Sequence, residues 1–464
     1  MNVRKLHSVH FLGIGGIGMS ALARWFNHLG IKVSGYDKTP SPLTKKLEEE
    51  GMAISYVDAI EEIPTQVKDF KADSLIVWTP AMPKDSAELN FFLSEGYNLK
   101  KRAAVLGLIT SDMPTIAVAG THGKTTTSSM IAHLLKFGGK NIAAFLGGIT
   151  QNYESNLILH DESEEDATVV VEADEFDRSF LHLHPNVAVL TSVDPDHLDI
   201  YGDDKVMLEG FSAFIDLVAP SGKLFIHSKA FAKLAKVDYK VHSVTAYGIN
   251  AGAIQATNVK ALPGHFTFDF IRENTRIENL ELRMPGFHNV ENAIPAIAIA
   301  MDFGIEEDKI REGLKSFKGV KRRFEIHVQA DDKVYIDDYA HHPEEIRAFL
   351  NSVKAMYPEK RLTAIFQPHL FSRTRDFAEG FSESLSIADE VVLLDIYPAR
   401  EQPIEGVTSG MLMPNITSGM KSIQSKENIL TYLNVNKPEV LVTLGAGDID
   451  RLVEPIAKWM RNEN

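Results

Sequence analysis

The stretch Gly120-Thr121-His122-Gly123-Lys124-Thr125-Thr126-Thr127 has the residue types of a loop that grips phosphate. Its glycines expose backbone N–H donors, Lys124 supplies a point charge for β- and γ-phosphates, and the Thr125 hydroxyl can sit on Mg²⁺. The spacing departs from the standard Walker pattern, because Val118 stands where that pattern has its first glycine. A chance Gly-Lys-Thr at a helix start is the bland alternative. The apolar run Thr115–Ala119 ahead of the loop and the helical pattern behind it favour an ATP site.

An earlier loop matches G-x-G-x-x-G through Gly13, Gly15 and Gly18, with Gly16 inside it and Met19 after it. Asp37 follows at about the 20-residue distance of a ribose-binding carboxylate. Such a loop brings backbone N–H groups and a helix dipole up to a diphosphate. By itself it fits a nicotinamide or flavin cofactor, another nucleotide, or a tight structural turn. Beyond the second loop come two acidic stretches, Glu172-Ala-Asp174-Glu175-Phe176-Asp177 and Asp194-Pro-Asp196-His197-Leu-Asp199-Ile-Tyr201-Gly202. Carboxylates at strand ends beside a phosphate loop are what phosphate-bound Mg²⁺ needs, because hard cations select oxygen ligands. Helix caps and a satisfied core histidine are the plain alternatives, and histidine is by hardness an unusual Mg²⁺ ligand.

The elements that must position these residues are legible as apolar runs. Val9–Leu12, Thr115–Ala119 and Val440–Leu444 each end in a glycine loop, the third being Gly445-Ala-Gly447-Asp448. Ser74–Trp78, Thr168–Val171, Val187–Thr191, Val334–Ile336, Leu362–Phe366 and Glu390–Leu394 alternate with helical patterns, which predicts mostly parallel sheets covered by helices. Ile249–Arg283 mixes polar and apolar residues in short runs and reads as an antiparallel insertion. Boundaries are expected at Ser111–Pro114 and Ser316–Val320. The acidic run Asp161–Asp166 reads as a solvated loop. Arg4 and Lys5 ahead of an apolar stretch superficially resemble a signal peptide, but the glycines within it favour a buried strand running into a loop.

Composition narrows the function classes. The chain has 464 residues, 44% hydrophobic and 24% charged, which suits about three globular domains. Its 48 Lys and Arg against 63 Asp and Glu give a net charge of −15, which argues against general affinity for nucleic acid or anionic membrane. No run approaches the length of a membrane-spanning helix. The absence of cysteine excludes disulfides, thiolate nucleophiles and cysteine-ligated zinc, and suits a reducing cytoplasm.

Taken in order, Gly120–Thr127, Glu172–Asp177, Asp196-His197, Pro285-Gly286-Phe-His288-Asn289-Val-Glu-Asn292-Ala293 and Gly319-Val-Lys-Arg322-Arg323-Phe-Glu325 resemble the motifs of the Mur ligase family over nearly the whole chain. These are three-domain, ATP-dependent enzymes that add amino acids to UDP-N-acetylmuramate precursors of peptidoglycan. Gly13–Ala21, Asp337-Asp338-Tyr339-Ala340-His341-His342-Pro343, Phe366–His369, Ser372-Arg373-Thr374 and Ile396–Glu401 most resemble the branch that joins L-alanine to the lactyl carboxylate.

The resemblance implies an α/β fold in three domains. A Rossmann-like domain 1–111 would hold the UDP substrate, a P-loop ATPase-type domain 112–319 with an antiparallel insertion would bind ATP, and a second Rossmann-like domain 320–464 would deliver the amino acid. Gly13, Gly15, Gly16, Gly18, Met19, Asp37, Thr79 and Ala81 would then face UDP. Gly120, Thr121, His122, Gly123, Lys124, Thr125 and Thr126 would grip ATP, with His288 and Asn292 toward adenine and Arg322 or Arg323 reaching in from the linker. Thr125, Glu172 and His197 would hold Mg²⁺, Tyr339 and His341 would receive L-alanine, and Arg373 would engage the muramyl carboxylate or developing phosphate charge. Lys124, His341 and Arg373 are the catalytic candidates. Closure about Gly319–Arg323 would assemble the site and exclude water.

Two residues depart from the family pattern. Leu370 stands where many relatives carry arginine, with Arg375 the nearest replacement, and Phe176 replaces a common serine. Lys205 is not assigned the metal-bridging role that a modified lysine has in several relatives. The rival readings are a ligase adding a preformed tripeptide to the same UDP-sugar, a nicotinamide-dependent dehydrogenase, and a non-enzymatic nucleotide-regulated binding module. The expected protein is cytoplasmic, a monomer or weak homodimer, without nucleic-acid partners or membrane insertion.

Overall fold

The computed structural model describes residues 3–161, 167–194, 204–234, 240–241, 243–399 and 401–462. It divides into two compact units, one formed by Met1–Ile254 with Pro295–Lys309 and the other by Gln255–Ile294 with Ile310–Asn464. The division cuts the helix Phe287–Asp302 at Pro295, a residue that removes a backbone donor from the helix interior.

The first unit holds two sheets. In one, β1 (Ser8–Leu12), β2 (Lys32–Tyr36), β3 (Ala53–Ser55), β4 (Ser74–Trp78) and β5 (Asn98–Lys101) run in the order β3-β2-β1-β4-β5, every pairing parallel. The other contains β6 (Thr115–Ala119), β7 (Ile142–Thr150), β8 (Ser155–Ile158), β9 (Thr168–Glu172), β10 (Val187–Leu190), β11 (Lys223–His227) and β12 (Ser243–Ile249). Their order is β12-β11-β10-β6-β9-β7-β8, parallel throughout except for β7 with β8. β1 and β6 are fully buried, as strands covered by helices on both faces must be. Each lies where the strand order reverses, so each glycine loop opens at a topological switch point, the place where open α/β sheets bind ligands.

The two sheets of this unit share one apolar core. Trp25 and Phe26, from the helix Ile17–His28, join Phe145, Leu157, Phe180, Phe211 and Phe214 in one cluster. Arg24 on the same helix grips Glu50 through Nε (2.8 Å) and donates through Nη1 to Asn156 Oδ1 of β8 (2.6 Å). The Asn156 amide in turn donates to Ser20 Oγ (3.0 Å).

In the second unit, β13 (Ile254–Leu262), β14 (His265–Arg272) and β15 (Thr275–Leu282) form the expected insertion, with β14 and β15 antiparallel. A six-stranded sheet is built from β16 (Glu325–Gln329), β17 (Val334–Asp338), β18 (Leu362–Phe366), β19 (Glu390–Leu393), β20 (Met420–Ile423) and β21 (Val440–Leu444). Its order is β16-β17-β21-β18-β19-β20, and only the edge strand β16 is antiparallel to its neighbour. β21 lies between β17 and β18, so the third glycine loop also opens at a reversal of strand order. No helix among the described residues is long and apolar enough to cross a membrane.

Candidate active site

The first loop is shaped by its strand neighbours. Gly13 and Ile14 both donate their N–H to Tyr36 O (2.8 and 3.0 Å), and Gly15 N–H donates to Asp37 Oδ2 (2.8 Å). Asp37, just past β2, therefore binds the loop itself and also receives the Thr39 N–H (3.2 Å). Thr79 borders Gly13 from the end of β4, and Ala81 lies exposed beyond it. Gly16 caps the helix Ile17–His28 without a side-chain bond, and no acidic residue occupies that helix's first turn. Met19 is buried beneath.

The second loop follows β6 and ends at Gly123, the left-handed N-cap (φ 82°) of the helix Lys124–Phe137. Gly120 has φ 133°, and a Cβ there would collide with Thr191 Oγ1 and lie 2.7 Å from Ser192 N, so only glycine fits. Residues past β10 pin the loop. Ser192 Oγ receives the His122 N–H (2.8 Å) and meets Thr121 Oγ1 (2.9 Å), and Thr191 Oγ1 donates to His122 O. Thr125 and Thr126 are buried in the first helical turn.

Lys124 Nζ donates to Gly120 O (2.7 Å) and lies 2.9 and 2.8 Å from the two carboxylate oxygens of Glu175, which is 1% exposed. Burial opposes the lysine charge, but Glu175, Asp174 and Glu172 outweigh it and hold the ammonium above its ordinary range. Glu172 ends β9 opposite Val118 of β6, and its Oε2 receives the Gly147 N–H (2.9 Å). Its carboxylate and the Thr125 hydroxyl are hard oxygen donors flanking the loop, a set that suits Mg²⁺. His197, the third expected ligand, lies outside the described residues, as do Asp196, Asp199, Tyr201 and Gly202. Among the described residues no three His, Asp or Glu side chains are grouped to hold a metal.

In the second unit, the candidates cluster at the C-terminal ends of β17, β21 and β18. Arg322, with φ 60°, turns its guanidinium inward: Nε donates to the fully buried Asp337 (3.0 Å) and Nη2 to Gly445 O (2.8 Å). Arg323 stacks on the Tyr339 ring, its guanidinium carbon 5.0 Å from the centroid. Asp338 receives the N–H groups of Phe324 and Ala340 (both 2.7 Å), and its burial pushes the carboxyl pKa up to about 7 against the pull of Arg323 and these bonds. Together Asp337 and Asp338 tie down the linker residues Arg322–Phe324. At the start of the Gly319–Arg323 segment, Gly319 has φ 92°.

His341 Nδ1 lies 3.0 Å from Tyr339 O and 3.3 Å from Glu345 Oε2, two acceptors that place the proton on Nδ1 and leave Nε2 as the basic nitrogen. His342 is a helix cap, receiving the Glu344 N–H (3.4 Å). Leu370, at φ 69°, precedes the short helix Phe371–Asp376, which carries the half-buried Arg373. Arg375 is exposed and bonds its neighbour Asp376 (2.7 Å). His288 and Asn292 occupy the first turns of the helix after Gly286. Asn292 donates to Asn289 Oδ1 (3.2 Å), and burial lowers the His288 pKa to about 4, so that ring is neutral at physiological pH.

Sequence reasoning read Glu175 only as part of an acidic stretch serving Mg²⁺, not as the partner of Lys124, and had no role for Ser192 or the Asp337-Asp338 pair. Glu175 lies three residues beyond Glu172, and the aspartate pair ends a predicted strand. Their residue types were visible, but the lysine, loop and linker they hold are distant in sequence.

Family models match three consecutive segments. One described as Mur ligase family, catalytic domain covers residues 8–113, one described as Mur ligase middle domain covers 118–300, and one described as Mur ligase, glutamate ligase domain covers 322–447. The UDP-N-acetylmuramate–L-alanine ligase of Flavobacterium psychrophilum is 48% identical over 99% of both chains. That of Cytophaga hutchinsonii is 47% identical over 98% of this chain and 97% of its own. Among solved structures, the UDP-N-acetylmuramate–alanine ligase of Thermotoga maritima aligns with a TM-score of 0.79 at 27% identity, covering 98% of this chain and 99% of its own. A murein peptide ligase from Psychrobacter arcticus shares the fold at a TM-score of 0.68 and 24% identity, covering 99% of each chain.

Proposed function

The chain belongs to the Mur ligase family, and from that premise we propose that it joins L-alanine to the lactyl carboxylate of UDP-N-acetylmuramate, consuming ATP and releasing ADP and phosphate. The observation that carries this reading is the identity of about half to L-alanine ligases over essentially the full length of both chains. The reaction belongs to peptidoglycan precursor synthesis, and its need for ATP and a UDP-sugar supports a cytoplasmic setting.

The chemistry follows from a carboxylate being a poor acyl donor. A carboxylate oxygen of the UDP-sugar attacks the γ-phosphorus of ATP, ADP leaves, and an acyl phosphate forms. The L-alanine amine, having lost a proton, attacks the acyl carbon, and phosphate departs with its C–O bond. Lys124 exchanges its carbonyl and Glu175 partners for phosphate oxygens, while loop N–H groups cradle the rest. Thr125 and Glu172, with His197, would hold the Mg²⁺ that neutralises phosphoryl charge. A neutral His288 suits the face or edge of adenine better than a phosphate, and it acts there beside Asn292. With Arg322 committed to Asp337, Arg323 is the linker cation left for the nucleotide. Nε2 of His341 takes the amine proton, Tyr339 shapes the amino-acid site, and Arg373 pairs with the muramyl carboxylate through a bidentate guanidinium.

ADP formation by the purified protein tests this. It should require UDP-N-acetylmuramate and L-alanine together, and Lys124→Ala should lower it by about 100-fold or more. ADP release without the UDP-sugar, activity only with the preformed tripeptide, or a dispensable lysine would each sink the assignment.

A further inference from the structure

The first glycine loop is bordered by a cation that its motif does not include. Arg102 begins the helix Arg102–Asp112, directly after β5, and closes the run Lys100-Lys101-Arg102 in a chain of net charge −15. Its guanidinium lies on Gly18: a Cβ there would collide with Nη1 and sit 3.1 Å from Cδ and 3.2 Å from Cζ. A side chain at the third glycine of the motif would displace this guanidinium.

The location is electrostatically odd. Gly18 is in the first turn of the helix Ile17–His28, whose unpaired N–H groups and dipole make that end positive; none of that turn's own residues is acidic, and the Asp37 carboxylate beside the loop is bonded to the Gly15 N–H. A guanidinium placed on it adds positive charge to positive potential. The compensating group comes from far along the chain. Asp174 Oδ2, 3.3 Å from Arg102 Nη2, belongs to the acidic stretch whose next residue holds Lys124. The helix bearing Arg102 is fixed against that region, because Gly107 lets its backbone pack on His182 O. Arg102 keeps 27% of its side chain exposed and Asp174 keeps 37%, so the guanidinium is positioned without being consumed.

We propose that Arg102 binds the diphosphate of the nucleoside-diphosphate sugar at the first loop, with Asp174 as the residue that positions it. This deepens the function proposed above and rests on its placement of UDP at Gly13–Gly18. The N–H groups of Gly13–Gly16 bond within the protein, so a diphosphate there accepts from the N–H groups of the helix's first turn on one side and from the guanidinium fork on the other, which offsets the positive charge.

Calorimetric titration of the full-length protein with UDP, uridine and ATP tests it. Wild type should prefer UDP to uridine. Arg102→Gln should weaken UDP by about tenfold or more while leaving uridine and ATP near their wild-type affinities, and Arg102→Lys should recover part of the loss. Gly18→Ala should weaken UDP in the wild-type background and much less on top of Arg102→Gln, because both act through one group. Retention of the UDP preference in Arg102→Gln overturns the proposal, and so does an equal loss of UDP, uridine and ATP in both Arg102 variants. A wild type that does not distinguish UDP from uridine overturns the placement of UDP itself, a separate result.

Discussion

Lys124 is a largely buried ammonium, its side chain 13% exposed, whose partners are two loop carbonyls and one carboxylate, and its energetics follow from that set. Glu175→Gln keeps the shape but removes the charge, leaving a buried cation poorly compensated at a cost of about 3 kcal/mol. The variant should melt earlier than wild type without nucleotide and recover most of the difference when ATP is added, since phosphate oxygens replace the missing carboxylate. Thermal melts with and without ATP read this directly, and a deficit that ATP leaves untouched would refute the exchange of partners. Asp338 makes a second residue-scale prediction. Its folded pKa, about 7, lies above its ordinary value of 3.8, so the fold binds more protons than the unfolded chain between them. The stabilisation is complete below about pH 4 and is lost as pH rises through 7, amounting to about 2 to 4 kcal/mol. Urea denaturation from pH 5 to pH 8 should therefore show wild type losing stability relative to Asp338→Asn, which does not titrate. His288 works in the opposite sense, because its pKa is lowered to about 4: its contribution is present above pH 6.5 and fades as pH falls through 4. The two effects oppose each other over nearly the same range, about pH 4 to 7, so comparison with Asp338→Asn, and not pH alone, separates them.

At the scale of elements, Gly147 of β7 shows how a strand serves a ligand on its neighbour. A Cβ there would lie 2.5 Å from Cδ of Glu172, so Gly147→Ala displaces the carboxylate that the Gly147 N–H now orients. The expected result is a several-fold rise in the Mg²⁺ concentration giving half-maximal ADP formation, with the L-alanine dependence unchanged. An unmoved Mg²⁺ dependence would remove Glu172 from the metal. Elements of this kind were largely legible in the sequence. β6, β18 and β21 begin and end where the apolar runs do, and β1, β9, β10, β17 and β19 differ by one or two residues. Parallel strands buried on both faces read as unbroken apolar runs, and glycine marks where the chain must turn toward a ligand. Orientation was not legible. Arg322 and Arg323 are adjacent, chemically alike and both lie over the Tyr339 ring, yet Arg322, at positive φ, also bonds Asp337 and Gly445 O at the sheet end.

At the scale of the molecule, a net charge of −15 faces substrates that are themselves anions, so attraction must come from local groups such as Lys124, Arg102 and the loop dipoles. The sequence spacing suggested separate N-terminal and central domains, but it could not reveal how deeply they join, because Arg24 and Asn156 are 132 residues apart. Trp25 lies 1% exposed in the core that the two share. Trp25→Ala should cost about 3 to 5 kcal/mol and weaken both the UDP and ATP sites. Residues 1–111 expressed alone should expose that tryptophan and show neither a cooperative melt nor dispersed amide signals. A fragment that folds cooperatively by itself would contradict the shared core.

The stretch Glu172–Glu175 reaches one glycine loop through Asp174 and Arg102 and the other through Glu175 and Lys124. This limits how the protein can be recombined. A foreign N-terminal domain grafted at residue 112 would bring its own first loop but would meet this chain's Asp174 and Asn156 with whatever side chains it carries at positions 102 and 24. Chimeras should therefore work only when those pairs travel together, so the natural cut for an exchange is a set of matched contacts and not a point in the linker.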